Sequence, residues 1–309
     1  MKKILIDCDP GIDDAQAILM AYMHPNTKIE AITSVSGNVD VFHTTKNILK
    51  ILDVLGDKTI PVFPGAASPL VERVKNASYF HGIDGLGDVG IPDAERSVEI
   101  KPAAVGLIQY ARENPGEIEL IALGPLTNLA LALRLDPDLP KLFRRLVIMG
   151  GAYLGKGNTI NFPAEFNIFS DPDVASVVFN NWPKFTLVTW EATLSHGIPF
   201  DRFEEFLHYN NPRSVFLEQI SRKMISSIKK FYKNDKYYAP DPLAMAVLLE
   251  PGVVVESEDK FVQVERFGHL TRGMTVVDWQ GASKREPNAS IVYKVDDDRF
   301  ENLLRMAFQ

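Results

Sequence analysis

Residues 7–14 read Asp-Cys-Asp-Pro-Gly-Ile-Asp-Asp, which places Asp7, Asp9, Asp13 and Asp14 within eight positions. Carboxylates this close repel one another unless a positive charge sits among them. Ligands that offer only hard oxygens suit Ca²⁺ or Mg²⁺. No His and Cys set with zinc spacing accompanies them, and the single cysteine, Cys8, is expected to pack under the chain next to the cluster. A helix N-terminus also favours acidic residues, so Asp13 and Asp14 could serve as cap and dipole partner. That reading leaves Asp9 without a reason to converge on the same point. The chemistry to expect is a divalent cation bound by carboxylates.

The cluster needs a scaffold that brings its members together. Residues 4–6 read as a strand, Pro10 and Gly11 as a turn, and 13–24 as a helix, which sets Asp9 at a strand's carboxyl end and Asp13 and Asp14 at a helix start. Further apolar runs at 29–35, 118–123, 145–149 and 185–190 suit strands buried on both faces. Amphipathic segments at 43–55, 102–114 and 126–135 suit the helices between them. The alternation predicts an α/β fold: a single open, mostly parallel, Rossmann-like sheet flanked by helices. Such sheets bind ligands at their carboxyl edge. After about residue 190 the pattern changes to a long helical stretch over 200–232, then 241–249, then a β-rich C-terminal part at 261–265, 273–278 and 290–295. No linker or repeat interrupts it, so residues 1–309 are expected to form one domain.

Composition narrows the setting. The chain has 309 residues, 46 % hydrophobic and 24 % charged, enough for a sizeable core. A net charge of −7 argues against a general affinity for nucleic acid. One cysteine excludes internal disulfides. No apolar run approaches the roughly 18 residues of a membrane span, and the opening residues lack a secretory pattern. A cytoplasmic protein acting on a small molecule, without nucleic-acid or membrane partners, is the expectation.

Asp-x-Asp after a first strand has two readings. In a haloacid dehalogenase-type phosphatase, Asp7 would be the nucleophile and Asp9 its partner beside Mg²⁺. Here the motif runs on into Pro-Gly-Ile-Asp-Asp, and the acidic stretch GDVGIPD at 87–93 comes too early for that class. The alternative covers more of the chain. DCDPGIDDA resembles the opening motif of the inosine–uridine preferring nucleoside hydrolase family. TSVSGN (33–38), HGIDGLG (81–87), ALGPLTNLALAL (122–133), PAEFNIFSDPDVA (163–175) and PDPLA (240–244) fall where that family's motifs fall.

The resemblance implies Ca²⁺-dependent hydrolysis of the N-glycosidic bond of ribonucleosides, through an oxocarbenium-like sugar. It implies Asp9, Asp14, Asp241 and the backbone carbonyl of Leu123 as metal ligands, with Asp9 also the base that activates water. Asp13, Asp14 and Asn38 would meet the ribose hydroxyls. Glu165, Asn167 and a second asparagine, Asn158 or its rival Asn161, would hold the 5′-hydroxymethyl group, and Phe166 and Met149 could pack on the sugar. Asn128 and Thr127 are read as opening the helix after GPL. Glu191, Thr193 and His196 are read as structural more than contacting. A homo-oligomer, dimer or tetramer, is also implied.

One departure stands out. Several family members carry His before the late metal-binding Asp, where it protonates the departing base, and this chain has Pro240, which cannot. The acid is then open among His81, Tyr232 and solvent, with His81 the leading candidate. The preference between purine and pyrimidine is likewise open. Trp182, Trp190 and Trp279 sit in strand-like or strand-edge contexts rather than in a clear base stack. A calcium-dependent nucleoside or pentose binder without turnover is the competing function.

Overall fold

The computed structural model describes residues 1–72, 75–232 and 235–309, apart from the side chains of Phe231 and Tyr232. The expected sheet is present. Its strands are β1 (Lys2–Cys8), β2 (Thr27–Ser34), β3 (Val62–Phe63), β4 (Ile118–Ala122), β5 (Arg145–Met149), β6 (Phe185–Val188), β7 (Val254–Lys260) and β8 (Ala289–Val295). They lie in the order β3-β2-β1-β4-β5-β6-β8-β7, parallel except for β7, which runs antiparallel to β8. The sheet is open. The order reverses between β1 and β4, so a crevice forms beyond the carboxyl ends of those two strands.

Alternation along β1 builds both faces of the core. Ile4 and Ile6 join one apolar cluster and Leu5 the other, all at most 1 % exposed. The first face carries α1 (Ile12–Met23), α2 (Val41–Val54) and a buried C-terminal helix over Pro240–Leu249. The second carries the helices Ala103–Glu113, Thr127–Leu135 and Pro172–Asn181. Both edges of the sheet are poor templates for a further strand. β3 has two residues, and β7 is largely exposed and reads VVESEDK.

Three expectations change. The run 185–190 is strand only through Val188. Thr189 then caps the helix Trp190–Ser195, its hydroxyl accepting from Ala192 N. The stretch 200–232 is two helices, Phe200–Leu207 and Pro212–Tyr232, broken at His-Tyr-Asn-Asn-Pro, where proline disfavours a helical residue before it. In the C-terminal part, Val262–Val264 and Thr275–Val277 pair as a separate antiparallel hairpin, whereas 290–295 belongs to β8 of the main sheet. Strand β7 escapes a hydrophobic reading because its side chains are mostly polar and exposed.

Candidate active site

The turn after β1 folds back on its own helix. Asp14, in the first turn of α1, accepts from Gly11 N (2.9 Å) and Asp9 N (3.3 Å), so a side chain closes the loop that carries Asp9. Asp9 Oδ2 accepts from Asn38 N (2.7 Å), and Asn38 Nδ2 donates to Asp9 O (3.2 Å) and Asp14 Oδ2 (3.3 Å). Glycine is needed where this packing is closest. A Cβ on Gly37 would fall onto the Asp9 carboxylate, and one on Gly11 would come within 2.5 Å of His81 Nδ1.

Asp241 reaches the cluster from the other side of the sequence, at the start of the helix that Pro240 opens. Pro240 is well placed there, since a first-turn residue needs no N–H. Carboxylate oxygens of Asp13, Asp14 and Asp241 come within 4.8 Å of one another, all three side chains being buried. Asp9 lies beside this trio without belonging to it, although Asp13 and Asp14 act on its charge. Asp9 Oδ1 and Asp13 Oδ1 are buried without a hydrogen-bond partner. Burial, then the Asp13 charge, pushes the Asp14 carboxyl up to about 7. Burial, then Asp14, likewise raises Asp9 and Asp241 well above the usual carboxylate range. Among the described residues no lysine or arginine lines the pocket. Orphaned oxygens and mutually repelling acids are what a hard cation would relieve, so the donor set fits one.

Asp7, by contrast, turns away. Its Oδ1 accepts from Thr33 Oγ1 (2.5 Å) and Asn128 Nδ2 (2.7 Å), and it is fully buried outside the pocket. Burial pushes its carboxyl up to about 7. A nucleophile cannot work there, which removes the structural basis of the phosphatase reading. Asn128 does more than open a helix. It also donates to Ser34 O (2.8 Å) and accepts from Ala66 N (2.9 Å), joining the ends of β1 and β2 to the segment after β3. Thr127 Oγ1 bonds Asp171 Oδ2 (3.0 Å), which also accepts from Leu70 N.

The pocket above this floor encloses about 750 Å³ of free space out to its open mouth. Asp13, Asn38, His81, Leu123, Asn158, Glu165, Phe166, Asn167 and Asp241 all line it, so the expected residues from six stretches of sequence converge. Met149 lines it as well. Glu165 caps the helix Phe166–Ser170, accepting from Asn167 N and Gly151 N (both 2.9 Å) and Ile168 N (3.3 Å), while burial pushes its carboxyl up to about 7. Asn158 Oδ1 accepts from Phe166 N (2.9 Å), which leaves its amide N–H groups to the pocket. Asn161 is tied elsewhere, donating to Arg272 O (3.3 Å), so Asn158 is the asparagine at the site.

Phe80, Trp190, Met224, Ile228, Tyr238 and Pro240 also line the pocket and form a mostly apolar wall. Local spacing gives Trp190 and Tyr238 no signal, and Trp190 is a helix start rather than a strand edge. Its neighbour Glu191 accepts from Tyr153 N, Leu154 N and Lys156 N and so pins the segment leading to Asn158, while His196 bonds Asp297 and Val295 N. Both are structural, as expected. His81 touches both the acidic floor and this wall, its ring meeting Phe80 with centroids 5.1 Å apart and its Nδ1 lying 3.9 Å from Asp13 Oδ1. Ile12 N–H donates to its Nδ1 (3.3 Å), so the neutral ring carries its hydrogen on Nε2, and burial holds its pKa below the usual value. The side chain of Tyr232, a sequence candidate, lies outside the described residues.

The likenesses to known proteins agree with this geometry. A pyrimidine-specific ribonucleoside hydrolase RihA from Citrobacter koseri is 36 % identical, covering 99 % of this chain and 98 % of that one. An inosine-uridine preferring nucleoside hydrolase from Crithidia fasciculata is 34 % identical, covering 100 % and 98 %. The solved inosine-guanosine nucleoside hydrolase IG-NH superposes with a TM-score of 0.92 at 35 % identity over 99 % of this chain and 98 % of its own. A purine-preferring ribonucleoside hydrolase from Gardnerella vaginalis gives the same score at 28 % identity, with 99 % and 98 % covered. With residues 4–302 matching the family described as inosine-uridine preferring nucleoside hydrolase, and with its acidic crevice at the same sheet edge where the sequence motifs converge, the chain belongs to that family.

Proposed function

We propose that this pocket hydrolyses the N-glycosidic bond of a ribonucleoside to free base and ribose over a bound calcium ion. The observation that carries the reading is the buried acidic floor at the β1/β4 crevice, unopposed by any lining lysine or arginine among the described residues. Such a floor favours a ring that gains positive charge as the bond to the base breaks. Asp9, Asp14, Asp241 and the Leu123 carbonyl would hold the ion, with Asp13 close enough to join them. When bound, calcium acidifies a water and ligates sugar hydroxyls.

The protein's own groups do the rest. Asp9 takes the proton of the attacking water at an oxygen that has no other partner. Asp13 and Asn38 meet the ribose hydroxyls. The 5′-hydroxyl donates its one hydrogen to Asn167 and accepts from Asn158, with Glu165 beside it, and Phe166 packs on the sugar. His81 presents its Nε2–H to the departing base, which Pro240 cannot do. The base lies against the apolar wall. Relatives of similar likeness are named for pyrimidines, for inosine and guanosine, and for purines, so this wall, and not the common floor, sets the preference. The reading takes residues 1–309 as one catalytic domain, supported by the single main sheet that runs from β1 to β8.

The test is a panel of ribonucleosides assayed for reducing sugar, with and without chelator, beside metal analysis of Asp14→Ala and Asp241→Ala. Sugar release that chelator abolishes, and calcium retained by the parent protein but depleted in both variants, are expected. Calcium uptake with no sugar released from any riboside would make the protein a binder. Full calcium content in both variants would overturn the metal assignment.

A further inference from the structure

The Asn167 amide has an arrangement that sugar recognition alone does not require. The β4–β5 ladder ends at Ala122 and Ile148. On the next residues, the carbonyls of Leu123 and Met149 both accept from Asn167 Nδ2, at 2.7 Å and 3.2 Å. Nδ2 also lies 3.3 Å from Met149 Sδ; with its two hydrogens taken up by Leu123 and Met149, the amide has only Oδ1 left for the pocket, and among the described residues nothing donates to that atom. Leu123 itself hangs from β1 through its N–H to Asp7 O (2.8 Å), and the following glycine packs against Asp9. Its carbonyl is therefore a backbone oxygen beside the acidic floor, and Asn167 is the side chain that fixes its direction.

We infer that Asn167 is a positioning residue that couples the sugar to the cation, aiming the Leu123 carbonyl with its N–H groups while taking a sugar hydroxyl on Oδ1. The inference rests on the function proposed above. A hydroxyl that donates to Oδ1 polarises the amide and strengthens its N–H bonds, because linked hydrogen bonds reinforce one another. It also holds the side chain in the rotamer that aims the carbonyl. Coupling of this kind is reciprocal, so the cation tightens the pentose by the factor that the pentose tightens the cation. Asn158 offers a contrast. It lines the same pocket, but its fixed bond goes to Phe166 N, and among the described residues no hydrogen bond joins it to Leu123.

The test reads cation binding, not turnover. Calcium alone is titrated calorimetrically at pH 8 into the chelator-stripped full chain, parent and variants. Asn167→Asp keeps an acceptor and suits a first helical turn, but its carboxylate cannot donate to Leu123. Losing that support is expected to weaken calcium roughly 10- to 100-fold, against the direction in which an added negative charge acts. Asn158→Ala is expected to bind calcium as the parent does. In the parent, D-ribose should tighten calcium about 5-fold more than 5-deoxy-D-ribose does, and in Asn167→Asp that difference should vanish. Calcium bound as tightly or more tightly by Asn167→Asp, or equal effects of the two pentoses on the parent, would overturn the coupling. A parent protein that takes up no calcium would overturn the functional reading first, and the coupling with it.

Discussion

The polar lining that would hold the sugar and the apolar lining that would face the base, the pocket's two ends on the function proposed above, are built differently. At the sugar end most polar side chains are held to backbone through one atom and keep another for the pocket. Asp14 closes the Asp9 loop, Asn38 clasps Asp9, Glu165 caps a helix, and glycines stand where a methyl group would collide. At the base end, Phe80, Trp190, Met224, Ile228, Tyr238 and Pro240 come from four helices and the short segment before the last of them, and present mostly carbon. The first end tolerates little change, because each side chain also holds the fold. The second can exchange side chains without moving a strand. On the function proposed above, reaction chemistry would belong to the first, rigid end and the choice of leaving group to the second, adaptable one.

Substitutions should therefore separate by end. Asp9→Asn is expected to lower kcat by about 10²–10⁴-fold, by a similar factor for every nucleoside, with calcium still bound. A near-normal kcat in the calcium-loaded variant would move the base elsewhere. His81→Ala, at the boundary, should slow ordinary nucleosides by about 10²-fold yet spare a nitrophenyl riboside, whose leaving group departs unprotonated. Equal losses on the two substrates would dismiss His81 as donor. Trp190→Ala, at the adaptable end, should shift relative kcat/KM among bases by roughly 10-fold, the scale of one lost stacking contact, and leave hydrolysis of the nitrophenyl riboside nearly intact. Uniform losses across all bases would return Trp190 to a structural role.

The smallest effect is on stability. Burial raises Asp7, Asp14 and Glu165 to about 7, and Asp9 and Asp241 also upward. A carboxyl raised in the folded state binds more protons folded than unfolded between its two pKa values. The chelator-stripped protein should thus lose stability as pH rises from about 4 to about 7, with its Tm falling over that window. Calcium should offset the part due to Asp9, Asp14 and Asp241, so the gap in Tm between loaded and stripped protein should widen with pH. A gap that stays constant would mean that the floor is not where calcium binds.

The turn from Asp9 to Asp14 was legible in the sequence because it is local, whereas Asn38, Asn158, Glu165, Asn167 and Asp241 came only through the family resemblance. Asp9, Gly11 and Asp14 lie on one strand–turn–helix, and the apolar runs that support them are continuous. The adaptable end was less legible, since Trp190 and Tyr238 have no spacing that predicts a shared wall. Long-range polar ties were hidden for the same reason. Asn128 meets Asp7, which lies 121 positions away, and nothing nearby marks it as more than a helix opener. The break at Asn210–Pro212 is written in the residues themselves, whereas β7 is a strand through its pairing with β8 and not through its hydropathy.

That edge strand has a consequence for how copies of the chain can meet. Glu256, Glu258 and Asp259 lie on seven exposed or half-exposed residues, and a second β7 laid antiparallel against the first would bring acid toward acid, with Lys260 and Lys184 already paired to Glu258 and Asp259. The opposite edge, two residues long, gives a visiting strand almost no ladder to extend. Fibrillar growth by sheet continuation is disfavoured at both margins. Contacts between copies of this chain are then left to its helices and loops, whose side chains and not the sheet's backbone would have to match.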